Sequence, residues 1–132
     1  MRVWADAFPS GQFDNRLLAE KISRYFEGER VGFKDVKVAL PGFSLFAITV
    51  LEGLRDVEWG STATYKDIAA SVGRPGAARA IGVVMSKNPI PLIIPCHRVI
   101  STGGGLGGFS GAGGVGMKKK MLELEGLEKD LL

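Results

Sequence analysis

Thr64-Tyr65-Lys66-Asp67-Ile68-Ala69-Ala70-Ser71-Val72-Gly73-Arg74-Pro75-Gly76-Ala77-Ala78-Arg79-Ala80-Ile81-Gly82-Val83-Val84-Met85-Ser86 is the stretch whose reading decides the fold. Thr64 is placed to cap a helix over 65–72, with Ile68, Ala69 and Val72 on its inward face. Gly73 to Gly76 form a tight turn, and a second helix follows over 77–86. Asn88-Pro89 ends it, because the residue before proline is pushed out of the α region. Two short helices around a glycine-containing turn outline a helix-turn-helix. The second helix is narrow: Ala77, Ala78, Ala80 and Gly82 leave Arg79 as its single charge. A major-groove reader would present several long polar side chains for base edges. This helix suits a close fit to a backbone or minor groove, or tight packing inside the core.

Outward from that stretch, Asp14 or Asn15 is placed to cap a helix reaching Phe26, with Leu17, Leu18, Ile22, Tyr25 and Phe26 at helical spacing and Gly28 as the stop. Residues 1–13 hold a short apolar segment and a turn at Pro9-Ser10-Gly11, and Val36-Lys37-Val38-Ala39-Leu40 alternates as a strand does. Pro41-Gly42 then breaks the chain, which divides it into a small α/β element over 1–40 and a main body over 41–132. A buried helix is expected over 44–57 and a last helix over 117–127, the latter carrying Glu123 and Glu125. Nine of the 19 glycines fall between 103 and 116, around Phe109-Ser110. That run reads as a linker or as a loop whose backbone approaches a ligand. No Lys-Ser/Thr follows in phosphate-loop spacing.

Pro91-Leu92-Ile93-Ile94-Pro95-Cys96-His97-Arg98-Val99-Ile100 contains the only cysteine and the only histidine. A lone cysteine makes no internal disulfide, and one Cys/His pair is too few ligands for a structural zinc site. An inert core thiol or a nucleophile remains. Prolines at 89, 91 and 95 stiffen the approach, and the apolar run ends where polar groups begin, as at the mouth of a pocket.

Composition is that of a globular protein: 132 residues, 45% hydrophobic and 23% charged, with a net charge of +3. No apolar run approaches the roughly 20 residues needed to span a bilayer, and no signal-peptide pattern opens the chain, so a cytoplasmic protein is expected. Between positions 65 and 120 the bases Lys66, Arg74, Arg79, Lys87, Arg98 and Lys118 to Lys120 face the single acid Asp67. Such a region suits a polyanion, although solvated charge produces the same pattern.

Taken together, these residues resemble the O6-alkylguanine-DNA alkyltransferase family. Pro95-Cys96-His97-Arg98-Val99 is similar to its active-site signature. Asn88 to Ile94 resemble its hinge and the strand leading to the cysteine, and Ala77 to Gly82 its recognition helix. Tyr65, Gly108 to Gly111 and Glu125-Gly126 fall where the pattern expects them, so the likeness runs from about Phe43 to Gly126. The resemblance implies an α+β chain: a short N-terminal element on a mostly helical C-terminal domain with a winged-helix-like helix-turn-helix. It also implies a monomer acting on double-stranded DNA, with no cofactor, no metal and no membrane.

The roles implied are these. Cys96 takes the alkyl group from guanine O6, or from O4-alkylthymine, in an irreversible displacement. His97 receives the thiol proton through a water, Glu125 orients His97, Tyr65 protonates the leaving base, and Asn88 braces the turn. Val99, Phe109, Ser110 and Pro91 contact the base. Arg79 fills the stack vacated by the flipped nucleotide, from a helix whose Ala77, Ala78 and Gly82 enter the minor groove, with Lys66 and Thr102 also toward DNA. Arg74, Lys87 and Lys118 are candidate phosphate contacts. Phe109 stands where the family usually has tyrosine, and loses a hydroxyl near O6. Three rivals stand beside this reading. An alkyltransferase-like lesion binder commonly replaces the cysteine with tryptophan. A plain helix-turn-helix module makes no covalent product. A cysteine hydrolase needs a base in direct reach of the thiol.

Overall fold

The computed structural model describes residues 15–103, 105–109, 111 and 113–127. The expected cap at Asp14, the segment before it and the contact at Ser110 lie outside the described residues. Helix α1 spans Asn15–Phe26, α2 Leu45–Leu54, α3 Tyr65–Ser71, α4 Ala78–Ser86 and α5 Gly114–Leu124. Two-residue strands β1 (Ala63–Thr64) and β2 (Val99–Ile100) pair in parallel, Ala63 with Val99 and Thr64 with Ile100.

Local chemistry fixes the helix starts. The Ser44 hydroxyl accepts from the Ala47 amide at 3.1 Å and opens α2. Thr64 and Asp67 form a reciprocal capping box: the Thr64 hydroxyl accepts from the Asp67 amide at 3.0 Å, and the Asp67 carboxylate from the Thr64 amide at 2.9 Å. Helices α3 and α4 pack on each other and on α2, giving the expected helix-turn-helix. Ile68, Ala69, Ile81, Val84 and Met85 are their buried faces, against Val50, Leu51 and Leu54 of α2. Leu18 and Tyr25 of α1, with Val31, Phe33 and Val36, join the same core.

Four expectations are corrected. No strand forms over 36–40. Val36 is buried, and Val38 and Leu40 pack against the core, so the alternation records one-sided burial without a pairing partner among the described residues. The backbone carbonyls of Phe33, Lys34 and Val36 instead accept from the Arg55 guanidinium, at 2.9, 3.2 and 2.5 Å. Helix α2 stops at Leu54 rather than 57, where hydrogen bonds across three residues replace the helical ladder. Helix α5 runs over 114–124 rather than 117–127, with Glu125 as its C-cap and Gly126 in the left-handed region (φ 92°) where glycine ends helices cheaply. The approach to Cys96 is no strand either. Leu92 takes φ 77°, Pro91 bridges to Ile94, and Cys96–Arg98 is a single 3-10 turn.

Candidate active site

Pro95 delivers the chain into the Cys96–Arg98 turn, which lies over α5 and is followed directly by β2. Cys96, 3% exposed, lines a cleft of about 270 Å³ with Tyr65, Gly82, Met85, Ser86, Gly108 and Phe109. Tyr65 is the first residue of α3, and Gly82, Met85 and Ser86 come from α4, so the cleft lies between the Cys96–Arg98 turn and the helix-turn-helix. The glycine run forms the third wall. Gly107 has φ 72°, and a Cβ there would stand 3.2 Å from the Tyr65 hydroxyl, so a backbone without side chains is what lets this loop close on the phenol.

Behind the cleft His97 and Glu125 are buried together. Glu125 Oε2 accepts from His97 Nε2 at 2.6 Å and from the Tyr25 hydroxyl at 2.6 Å, and Oε1 accepts from Arg98 Nε at 2.7 Å. Arg98 Nη1 donates onward to the Val57 carbonyl at 2.7 Å. Burial alone would push the Glu125 carboxyl up, but the donors from His97 and Arg98, with Tyr25, bring it down to about 2. An ionised carboxylate only accepts, so His97 carries its proton on Nε2. Among the described residues its Nδ1 has no partner, and it presents the lone pair. Burial holds His97 below its ordinary value against the opposing pull of Glu125, so the ring is neutral near pH 7.

The thiol is set the other way. Burial pushes Cys96 up, while the Asn88 amide and the nearby charge of Lys118 pull it down. At neutral pH in the free protein the group is a thiol. Asn88 also fixes the turn itself: its Nδ2 donates to the Ile94 carbonyl at 2.9 Å and its Oδ1 accepts from the Ile90 amide at 3.0 Å. Burial, opposed by the Gly108 backbone, raises Tyr65, which keeps its proton at neutral pH.

The structure thus brings Cys96, Tyr65, Gly82 and Phe109 to one cleft and His97 and Glu125 behind it. Val99 is buried beside the turn with its carbonyl already taken by Lys118 Nζ at 2.5 Å, and Pro91 is not part of the cleft wall. Arg79, Lys66, Lys87 and Thr102 are exposed, whereas Ala77 and Ala78 are half-buried. Arg74 is exposed and reaches over the Phe46 ring, 5.8 Å from its centroid. Lys118 is the clear correction. It has no exposed surface, and its ammonium donates to the Val99 and Gly108 carbonyls, so it braces the cleft and touches no phosphate. Desolvation brings it down to about 8. Sequence reasoning passed over Tyr25, which looked like one more apolar-face residue of a helix, and placed Arg98 only as a neighbour of the thiol. Neither position carries a local pattern that announces its partner. No group of three or more potential metal ligands occurs among the described residues, and no described helix is long and apolar enough to cross a membrane.

The profile of the family described as "6-O-methylguanine DNA methyltransferase, DNA binding domain" matches residues 45–127. The methylated-DNA–protein-cysteine methyltransferase of Metallosphaera sedula is 50% identical over 109 residues, which cover 83% of this chain and 66% of the relative. The crystal structure of Mycobacterium tuberculosis OGT in complex with DNA superposes with a TM-score of 0.75 at 41% identity, over 82% of this chain and 63% of that one. A structure of S. pombe Atl1 with damaged DNA containing O6-carboxymethylguanine aligns at 34% identity and a TM-score of 0.55, over 63% of this chain and 77% of that one. The chain spans just under two thirds of the length of the first two of these. With its reactive turn, cleft and helix-turn-helix all inside the matched region, the chain belongs to the 6-O-methylguanine DNA methyltransferase family.

Proposed function

We propose that the protein repairs O6-alkylguanine in double-stranded DNA by moving the alkyl group irreversibly onto Cys96. The reading rests on one observation above others: a thiol lining a cleft between its own turn and a helix-turn-helix that presents the Tyr65 phenol, backed by a buried His97–Glu125 pair whose Nδ1 has no partner among the described residues. The thiol proton passes through a water to His97 Nδ1, and the Glu125 carboxylate stabilises the imidazolium. The Cys96 sulfur pair forms a bond to the alkyl carbon as the carbon–O6 bond breaks. The Tyr65 hydroxyl gives its proton to a ring nitrogen, so guanine leaves neutral. Thioethers resist hydrolysis, and each molecule acts once.

A base inside a stacked duplex is out of reach of a buried sulfur, so the nucleotide is flipped at a cost of a few kcal/mol. Exposed Arg79 at the start of α4 fills its place, and Ala77, Ala78 and Gly82 allow that helix into a minor groove. Lys66, Arg74, Lys87 and Thr102 lie on the DNA side, while Phe109, with Val99 beside the turn, borders the base. Alkylated thymine O4 is a second substrate. The protein works as a monomer inside the cell, with 41–132 as the acceptor domain and 1–40 as a supporting element. A non-catalytic lesion binder has no use for a nucleophile at the cleft, and Cys96 weighs against that reading.

The test is intact mass after incubation with duplex DNA carrying O6-methylguanine. One methyl group gained on Cys96, and none in Cys96→Ala, is the expected result. An unmodified wild-type protein under excess lesion overturns the reading.

A further inference from the structure

Glu125 and Tyr25 are a hundred residues apart in sequence and 2.6 Å apart in the fold. Tyr25 is completely buried near the end of α1, upstream of the residues that the family profile matches. Its ring stands edge-on to Trp59 at 5.5 Å and to the His97 imidazole at 6.5 Å. Its hydroxyl aims at the same carboxylate oxygen that accepts from His97 Nε2, and the other available acceptor, the Met121 carbonyl, is farther away at 3.4 Å. A phenol needs no such partner for packing, since phenylalanine fills nearly the same space.

We propose that Tyr25 is a positioning residue for the transfer reaction, its hydroxyl fixing the Glu125 carboxylate so that His97 holds its proton on Nε2 and offers Nδ1 to the thiol. The proposal rests on the alkyl-transfer reading above. The carboxylate is held from three directions: Tyr25 from α1, His97 and Arg98 from the reactive turn. The other charged group acting on the imidazole is Lys118 from α5, which works against its protonation, as Arg98 does. Cys96 and Tyr65 face the cleft on the far side. Within this set Tyr25 is the donor that stays neutral whether or not His97 is protonated. Removing its hydroxyl subtracts no charge, yet leaves Glu125 a stronger acceptor for the remaining two donors. A less satisfied carboxylate stabilises the imidazolium more, and His97 stays protonated to higher pH. A protonated His97 cannot take the thiol proton, so the acid limb of transfer moves with it.

His97 is the only histidine in the chain, which makes the test direct. Its ring nitrogens are followed by 15N NMR against pH in wild type and Tyr25→Phe, beside single-turnover transfer from O6-methylguanine DNA over the same range. The wild type is expected to show the Nε2–H form. In Tyr25→Phe the His97 midpoint and the acid limb of the rate both rise, by about one pH unit. At pH values above both midpoints the rates differ by less than about threefold. A Tyr25 that served packing alone would cost stability and move neither midpoint; that result overturns the proposal. A His97 midpoint that rises while the acid limb stays put overturns it as well. If Tyr25→Phe does not fold, 3-fluorotyrosine incorporated into Tyr65→Phe protein, where Tyr25 is the only tyrosine left, carries the His97 midpoint arm of the test. The more acidic phenol donates more strongly and must lower the His97 midpoint; an unchanged midpoint overturns the proposal. A wild type that transfers no methyl group removes the parent reading and this one with it. Transfer by wild type, with both midpoints unmoved in the variant, removes only this one.

Discussion

Glu125→Gln should be the most costly conservative change in the chain. The carboxylate is buried and accepts from Tyr25, His97 and Arg98. An amide has one oxygen for those donors and turns its own N–H groups toward the rest. Arg98, itself 8% exposed, then keeps the Val57 carbonyl as its partner among the described residues. Removing one partner of a buried ion pair costs about 3–5 kcal/mol, a large part of the roughly 5–15 kcal/mol that holds a domain together. The proton linkage gives an independent estimate. Lowering the carboxyl from its ordinary 4.5 to about 2 corresponds to about 3 kcal/mol, at about 1.4 kcal/mol per tenfold change in proton affinity. Because the folded value is depressed, that stability is complete above pH 4.5 and is lost as pH falls toward 2. Urea unfolding at pH 7 should place Glu125→Gln about 3–5 kcal/mol below wild type. By about pH 2.5 the gap should shrink to about a quarter, since the unfolded chain is then protonated at this position and the folded carboxyl is nearing its own midpoint. A gap under about 1 kcal/mol at pH 7, or one that persists undiminished in acid, refutes the reasoning.

Gly111→Ala would place a Cβ 2.4 Å from the Phe109 ring. The ring must shift from the cleft wall, and single-turnover transfer should slow about tenfold, with the melting temperature changed by only a few degrees, as for a partly buried loop. Lys118→Met removes the donor to the Val99 and Gly108 carbonyls and the charge that favours the thiolate. The pH midpoint for Cys96 alkylation by iodoacetamide should therefore rise, and a fall would contradict the assignment. Arg55→Met strips the clamp from the carbonyls of Phe33, Lys34 and Val36. Calorimetry should show a melting point lower by roughly 10 °C, from about 3 kcal/mol of lost hydrogen bonding.

The helix-turn-helix was readable because its signals are short-range. Thr64 and Asp67 cap each other three residues apart, and Gly73 and Pro75 punctuate within one turn. The apparent strand at 36–40 misled because alternation reports which side chains are buried, whereas a strand also needs a neighbour for its amides; here Arg55 satisfies carbonyls instead. Gly114 and Gly116 hid the first turn of α5, since packing of Met117 and Met121 outweighs glycine's poor helix propensity. Cys96, Tyr65 and Phe109 were legible as cleft residues through the family pattern. Lys118 was misread because charge in a sequence carries no record of burial, and its partners are backbone carbonyls that no composition reveals. The Tyr25–Glu125 contact joins the two ends of the chain, and no periodicity spans that distance.

The two-residue pairing of β1 with β2 carries more than its length suggests. Thr64 sits opposite Ile100, so the start of α3 and the segment just after the reactive turn are fastened backbone to backbone. The separation of the Tyr65 phenol from the Cys96 sulfur is thereby gauged by main-chain geometry, which does not depend on which side chains the outer surface displays. Substitutions on the exposed face of α4 should therefore leave the spacing of Tyr65 and Cys96 unchanged. The protein is built like a caliper whose jaws are set at this short pairing, and its outer face can change while the gap stays calibrated.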